Sequence, residues 1–165
     1  MLDRLNALPP DEAEAELLAC CASRRWAAEV AAGRPYAGPA ELAAASAKAL
    51  EGLDWPDVLE ALDAHPRIGE RPEGGGREAR WSRDEQSGAA TGGDEVGRAL
   101  VEGNLAYERR FGHVFLICAT GKSAEEVLAG LRVRLGNDAG TERTAVRAEL
   151  AAITGLRLAK LIEGA

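Results

Sequence analysis

Apolar residues along this chain recur at three- and four-residue spacing almost throughout, the pattern of helices that each bury one face. Pro9-Pro10-Asp11-Glu12 opens the first clear helix, with acidic residues in its first turn and Leu17, Leu18 and Cys21 along it. Ser23 reads as the N-cap of a second helix, from Arg24 to Ala32, stopped at Gly33. A third runs from about Ala40 to Leu50 or Gly52, with Leu42, Ala45, Ala49 and Leu50 roughly on one face. Asp54 caps a fourth, whose apolar side is Trp55, Val58, Leu59 and Leu62. Pro66 blocks its continuation and biases His65 away from helical backbone.

Residues 66–80 read as a loop with a flexible tip at Glu73 to Gly76. Ser82 with Glu85 fits a capping box and predicts that a short helix opens there. Asp94 begins a long helix through Val96, Leu100, Tyr107 and Phe111, closed by Gly112. Val114 to Cys118 is a short apolar run with no alternating partner, hence extended buried chain. Ser123 caps the next helix, Gly136 ends it, and the last spans about Thr141 to Ile162. No repeat, low-complexity stretch or linker interrupts this series. The fold expected is all-α, a single-domain helical bundle of about eight or nine helices over residues 1–165.

Composition narrows the function. The 165 residues are 46% hydrophobic, enough for a core without metals or cross-links. Acidic side chains outnumber basic ones, 27 to 20, which disfavours a nucleic-acid partner. No apolar run approaches the roughly 20 residues needed to span a bilayer, and the N-terminus lacks the order of a signal peptide. Adjacent Cys20 and Cys21 are poorly placed to bridge each other, and the two histidines lie far apart, so neither disulfide nor metal site is expected. A reduced, cytoplasmic protein follows from this reading. Ala119-Thr120-Gly121-Lys122-Ser123 looks like a phosphate loop, but Leu116 stands where its first glycine belongs, leaving a turn plus N-cap.

Three features fit packing less well. Eleven residues on from Val146, the helical rotation returns to within about 20° of it, which places Arg157 inside the apolar stripe of Val146, Leu150 and Ile153. That guanidinium either snorkels, forms an internal salt bridge, or clamps an anion at the bottom of a pocket. His65 sits where a helix C-terminus favours imidazolium, suiting either a cap or a proton donor. Ser82, Glu85 and Gln86 either cap a helix or offer its N–H groups, a carboxylate and an amide to a polar heterocycle.

These same residues carry a resemblance. His65-Pro66-Arg67-Ile68-Gly69-Glu70, Trp81-Ser82-Arg83-Asp84-Glu85-Gln86-Ser87-Gly88 and Tyr107-x-x-x-Phe111-Gly112-His113-x-Phe115-Leu116-Ile117-Cys118-Ala119 closely resemble the OHCU decarboxylases of urate breakdown. So do the flanking Cys20-Cys21-Ala22-Ser23-x-x-Trp26-Ala27, Arg134-Leu135-x-Asn137-Asp138 and Leu156-Arg157-Leu158. The resemblance implies a helical, usually homodimeric enzyme that needs no cofactor and acts on a small ureidoimidazoline. By position it implies His65 as catalytic acid, Glu85 as catalytic carboxylate and Pro66 as a substrate contact. Ser82, Arg83, Asp84, Glu85 and Gln86 would form a second binding segment. Phe115, Leu116, Ile117, Cys118 and Ala119 would meet the substrate largely through backbone groups, and Arg157 would bind it as well. The same polar inventory is compatible with a cyclic-amide hydrolase, and a non-catalytic interaction domain would use these motifs as caps and core.

Overall fold

The computed structural model describes residues 1–70, 75–88 and 93–164. Among the described residues there are nine helices and no strand. They are α1 (Leu2–Ala7), α2 (Pro10–Leu18), α3 (Arg24–Ala32), α4 (Pro39–Glu51), α5 (Trp55–Asp63), α6 (Arg77–Glu85), α7 (Asp94–Phe111), α8 (Ala124–Leu135) and α9 (Ala139–Glu163). None is long and apolar enough to cross a membrane. The chain forms two compact units, Met1–Ala61 with Leu150–Ala165, and Leu62–Glu149. Helices α5 and α9 each contribute to both.

In the first unit, Ser23 caps α3 by accepting the Trp26 N–H at 3.3 Å. Trp26 is fully buried, and its indole N–H donates to the Ser46 carbonyl of α4. Asp54 accepts the Asp57 N–H at the start of α5. Helix α1 is an addition to the expected series. It is six residues long and buries only Leu5 fully. Its C-terminal carbonyls at Leu5 and Leu8 are taken by Arg34 at 2.6 and 2.8 Å, a cap from well along the chain.

In the second unit, α7 ends in the left-handed backbone of Gly112 (φ 78°), and Ser123 with Glu126 forms a full capping box on α8. Leu100, Tyr107, Phe115, Ile117, Val127 and Leu131 lie in its core. Gly103 lets α7 and α8 approach closely, since a Cβ there would collide with the Leu131 side chain. The run from Val114 to Ala119 carries no regular structure, and its Phe115, Leu116 and Ile117 are buried, as the apolar pattern predicts.

The capping box expected at Ser82 is corrected. Helix α6 begins at Arg77 behind an N-cap at Gly76, whose carbonyl receives the Arg80 N–H at 3.1 Å. Ser82 is therefore inside the helix, Glu85 is its last residue and Gln86 its C-cap. Starting the helix early places Trp81 within it, only 2% exposed. The Arg77 guanidinium lies 5.8 Å from that ring. The loop after His65 is correspondingly shorter than expected. Of its expected tip, Glu73 and Gly74 lie outside the described residues.

A buried ion pair organises the second unit. Glu142 is 1% exposed and accepts the Arg134 Nε and Nη2 at 2.9 and 2.5 Å. The Tyr107 hydroxyl donates to the same Oε1, and Asn137 Nδ2 to Oε2 at 2.9 Å. Burial pushes this carboxyl upward, but the donors outweigh it and hold Glu142 below the usual carboxylate range. A depressed folded value means the stabilisation is whole above the ordinary pKa of 4.5 and fades as pH falls through the lower folded value. Glu142→Gln leaves Arg134 buried without its countercharge. We expect a loss of about 3–5 kcal/mol in urea unfolding at neutral pH, and a smaller difference from wild type under acid.

Candidate active site

His65 is delivered by the end of α5, where its N–H donates to the Leu62 carbonyl at 2.9 Å and Pro66 turns the chain away. The next residues are tied down one by one. Arg67 makes a fork to Glu108 on α7 at 2.6 and 3.0 Å, with Glu70 at 3.1 Å. That fork holds the Glu108 carboxyl below its usual range. The Ile68 side chain enters the core, and its carbonyl accepts from the buried Asn104 at 3.0 Å. Gly69 adopts φ 92°, open to glycine, and its N–H donates to the Gln86 side-chain oxygen at 3.1 Å.

A cavity of about 410 Å³ opens beside this turn. It is lined by Asp63, Ala64, His65, Pro66, Glu78, Ala79 and Ser82. Three residues singled out from the sequence, His65, Pro66 and Ser82, thus share one hollow. Glu78 was missed, although it lies one helical turn before Ser82 on the same face of α6. Asp63 was missed as well, two residues before His65 at the end of α5.

The rest of the second segment is not among the lining residues of that hollow. Arg83 and Asp84 are exposed, while Glu85 and Gln86 are half-buried. Because α6 ends here, this segment presents the carbonyl end of a helix rather than its N–H end. The reading of Ser82 to Gln86 as a helix start offering N–H donors is withdrawn. Helix carbonyls and the Glu85 carboxylate are acceptors, suited to the N–H groups of a ligand. Gln86 joins this segment to the His65 turn through Gly69. Gly88 abuts the turn that follows the third segment so closely that a Cβ would collide with the Lys122 carbonyl.

That third segment, Phe115 to Ala119, is gripped by charged side chains. Arg134 donates to the Leu116 carbonyl and stacks its guanidinium 4.7 Å from the Phe115 ring. Glu149 accepts the Cys118 N–H at 2.7 Å, and Lys122 Nζ donates to the Cys118 carbonyl at 3.1 Å. Gly130 brings Ile117 against α8, where a Cβ would sit 3.2 Å from Ile117 Cδ1. Glu108 and Glu149 had no local signature, because their partners are 41 and 31 residues away. Asn104, by contrast, stands four residues after Leu100 and three before Tyr107, a polar residue on the apolar stripe of α7 that the helical period could have singled out.

Arg157 belongs to the first unit. At 2% exposure it does not snorkel. Its Nη1 approaches the Ala19 carbonyl at 3.5 Å. Nearby Cys21 is pushed up by burial, against the opposing influence of Ser23, Thr154 and Arg157, so a neutral thiol accompanies the guanidinium.

The OHCU decarboxylase family model matches residues 6–159. Among curated proteins, the chain is 34% identical over 151 residues to the uric acid degradation bifunctional protein TTL of Arabidopsis thaliana. That match covers 90% of this chain but 47% of the plant protein, so the chain spans about half its length. The 2-oxo-4-hydroxy-4-carboxy-5-ureidoimidazoline decarboxylase of Amia calva is 33% identical, over 83% of this chain and 79% of its own. A crystal structure of OHCU decarboxylase in the presence of (S)-allantoin matches with TM-score 0.79 and 30% identity, covering 90% of this chain and 97% of that one. A crystal structure of (S)-allantoin synthase, 20% identical with TM-score 0.71 over 98% of this chain and 54% of its own, shares the fold. The architecture and motifs are those of a helical decarboxylase of urate breakdown. The chain belongs to the OHCU decarboxylase family.

The ties around His65 are open to a direct test. Asn104→Ala strands the buried Ile68 carbonyl, and we expect a cost of about 1–3 kcal/mol in chemical denaturation. Hydrogen exchange should accelerate at the amides of residues 67–70 more than in α8. Equal acceleration in both would show a general loss of packing instead.

Proposed function

We infer that this chain is a carboxy-lyase that decarboxylates 2-oxo-4-hydroxy-4-carboxy-5-ureidoimidazoline to (S)-allantoin and CO2. The observation that carries this reading is the family match across residues 6–159, spanning every segment named above. The whole chain then acts as one decarboxylase domain. By the same family likeness, we propose a cytoplasmic homodimer.

The chemistry asks for little beyond placement and a proton. When the bond to the carboxyl carbon breaks, CO2 leaves and the electron pair stays on a carbon next to the ring C=N. Conjugated carbonyls extend that system, so the pair delocalises within the substrate, and no cofactor is assigned. His65 exchanges a proton with the substrate hydroxyl or with the developing anion. The pair moves onto the C=N and the ring nitrogen takes up a proton. The hydroxyl then gives up its proton to become the product carbonyl, and delivery of a proton to one face of the neighbouring carbon, which carries the ureido group, gives a single enantiomer. The polar hollow beside His65 and the fixed turn that carries it support this role.

The remaining assignments concern orientation. Glu85 accepts hydrogen bonds from ureido or ring N–H groups, a role favoured by its place among helix-end carbonyls. Ser82 and Pro66 belong to the hollow's wall, and Gln86 and the 115–119 backbone fix the ring. Arg83 and Asp84 complete the binding segment at its exposed side. Arg157 binds an anionic or carbonyl oxygen. Its support is its burial, because sequestering a guanidinium costs several kcal/mol and is hard to explain by packing alone.

His65→Asn should fold as wild type by circular dichroism yet lose about 10²–10⁴-fold in turnover, measured as CO2 release from freshly generated substrate. Unchanged turnover would remove His65 from the mechanism. Arg157→Met should keep or gain thermal stability while losing about 10–100-fold in kcat/KM. A stabilised variant with full activity would make the arginine purely structural.

A further inference from the structure

Between the gripped backbone groups of the third segment lies an ungripped pair. The Leu116 carbonyl is held by Arg134, and the Cys118 N–H and carbonyl are held by Glu149 and Lys122. Among the described residues, no group bonds the Ile117 N–H or carbonyl, although Ile117 is only 7% exposed. Buried main-chain groups are nearly always paired, with protein, water or ligand. An adjacent donor and acceptor on one residue match the N–H and C=O of a urea or cyclic amide. Such a pair recognises a flat partner only if the peptide planes on either side are held still.

We propose that Glu149 is a positioning residue for the reaction. By accepting the Cys118 N–H, its carboxylate sets the peptide plane that follows Ile117 and so aims the Ile117 carbonyl at the substrate. The Ile117 N–H lies in the preceding plane, which Arg134 holds at the Leu116 carbonyl. The inference rests on the reading of 115–119 as a substrate-contact segment. Two features single out Glu149 from the other grips. Arg134 is committed to the Glu142 network and would be needed for folding whatever the segment did. Glu149, by contrast, lies half-buried near the middle of α9 and reaches out of that helix to an irregular segment far away in sequence. A carboxylate accepting a backbone N–H makes a stronger bond than a neutral acceptor, which suits a plane that must not rock.

The test separates positioning from mere stability. Glu149→Gln keeps an acceptor oxygen of the same reach, while Glu149→Leu removes it. Glu149→Leu should raise KM about tenfold, with kcat held within about threefold, and shift the Cys118 amide resonance in a nitrogen–proton NMR spectrum. Glu149→Gln should return KM to within about threefold of wild type. Lys122→Met disturbs the next peptide plane, through the Cys118 carbonyl, from a half-exposed site, and should raise KM by about threefold even if Glu149→Leu fails to fold. If no folded variant changes KM, or if only the active fraction falls, Glu149 has no positioning role. A separate arm probes the underlying reading, by titrating the wild-type protein with (S)-allantoin. If the Ile117 and Cys118 amides do not move while those near His65 do, the segment is no substrate contact. If they move and the variants keep wild-type KM, the positioning inference alone fails.

Discussion

The Glu142 carboxylate is the constraint around which the second unit is arranged. It accepts from Arg134 twice, from Tyr107 and from Asn137, close to the full capacity of a carboxylate. Those donors come from α7, from α8 and from the turn that follows it, while Glu142 itself opens the long α9. A buried ion pair contributes little net stability compared with apolar packing, because desolvation offsets most of the attraction. Its effect is selective instead. Any other register of these helices would bury a charge without its partners, which is far costlier than losing a methyl contact. The spare N–H of Arg134 then reaches the Leu116 carbonyl, so the pair that orients the helices also anchors the irregular segment beside them.

How much of this was legible depended on how local the deciding interaction is. The caps at Ser23 and Ser123 and the stop at Gly112 were readable because each is settled within a few residues. Ser82-x-x-Glu85 carries the same signature as Ser123-x-x-Glu126, yet only the second caps a helix. If Ser82 were a cap, Trp81 would lie outside the helix, whereas the structure gains by burying that ring inside α6. Tertiary burial outweighed a cap worth about 1 kcal/mol. Helix α1 escaped notice for a related reason, since six residues carry too weak a period and its end is capped by the distant Arg34.

The candidate site was legible in unequal parts. Arg157 announced itself because a charge on an apolar stripe is visible from the 3.6-residue period, and its burial follows from that geometry. His65 was visible through the proline after it. Glu108 and Glu149 were not, because each does its work on a group that only folding brings near. Asn104 and Glu142 were within reach of the same period, since Asn104 falls between Leu100 and Tyr107 and Glu142 four residues before Val146, each on an apolar stripe.

A physical reason connects the candidate site segments of the second unit. Helices consume their own N–H and C=O groups, so a polar, flat ligand finds few main-chain partners along them. Main-chain recognition has to come from helix ends and from chain without regular structure, and 65–69, 82–88 and 115–119 are all of that kind. Irregular chain next to a core is costly unless something satisfies it and holds it still. Asn104 on Ile68, Gln86 on Gly69, Arg134 on Leu116 and Glu149 on Cys118 supply that restraint from outside each segment. The polar residues buried in this unit are therefore best understood as scaffolding for backbone geometry. An all-apolar replacement could pack as well or better, but it would leave these segments free to rearrange, and preorganised donors and acceptors act through not having to move.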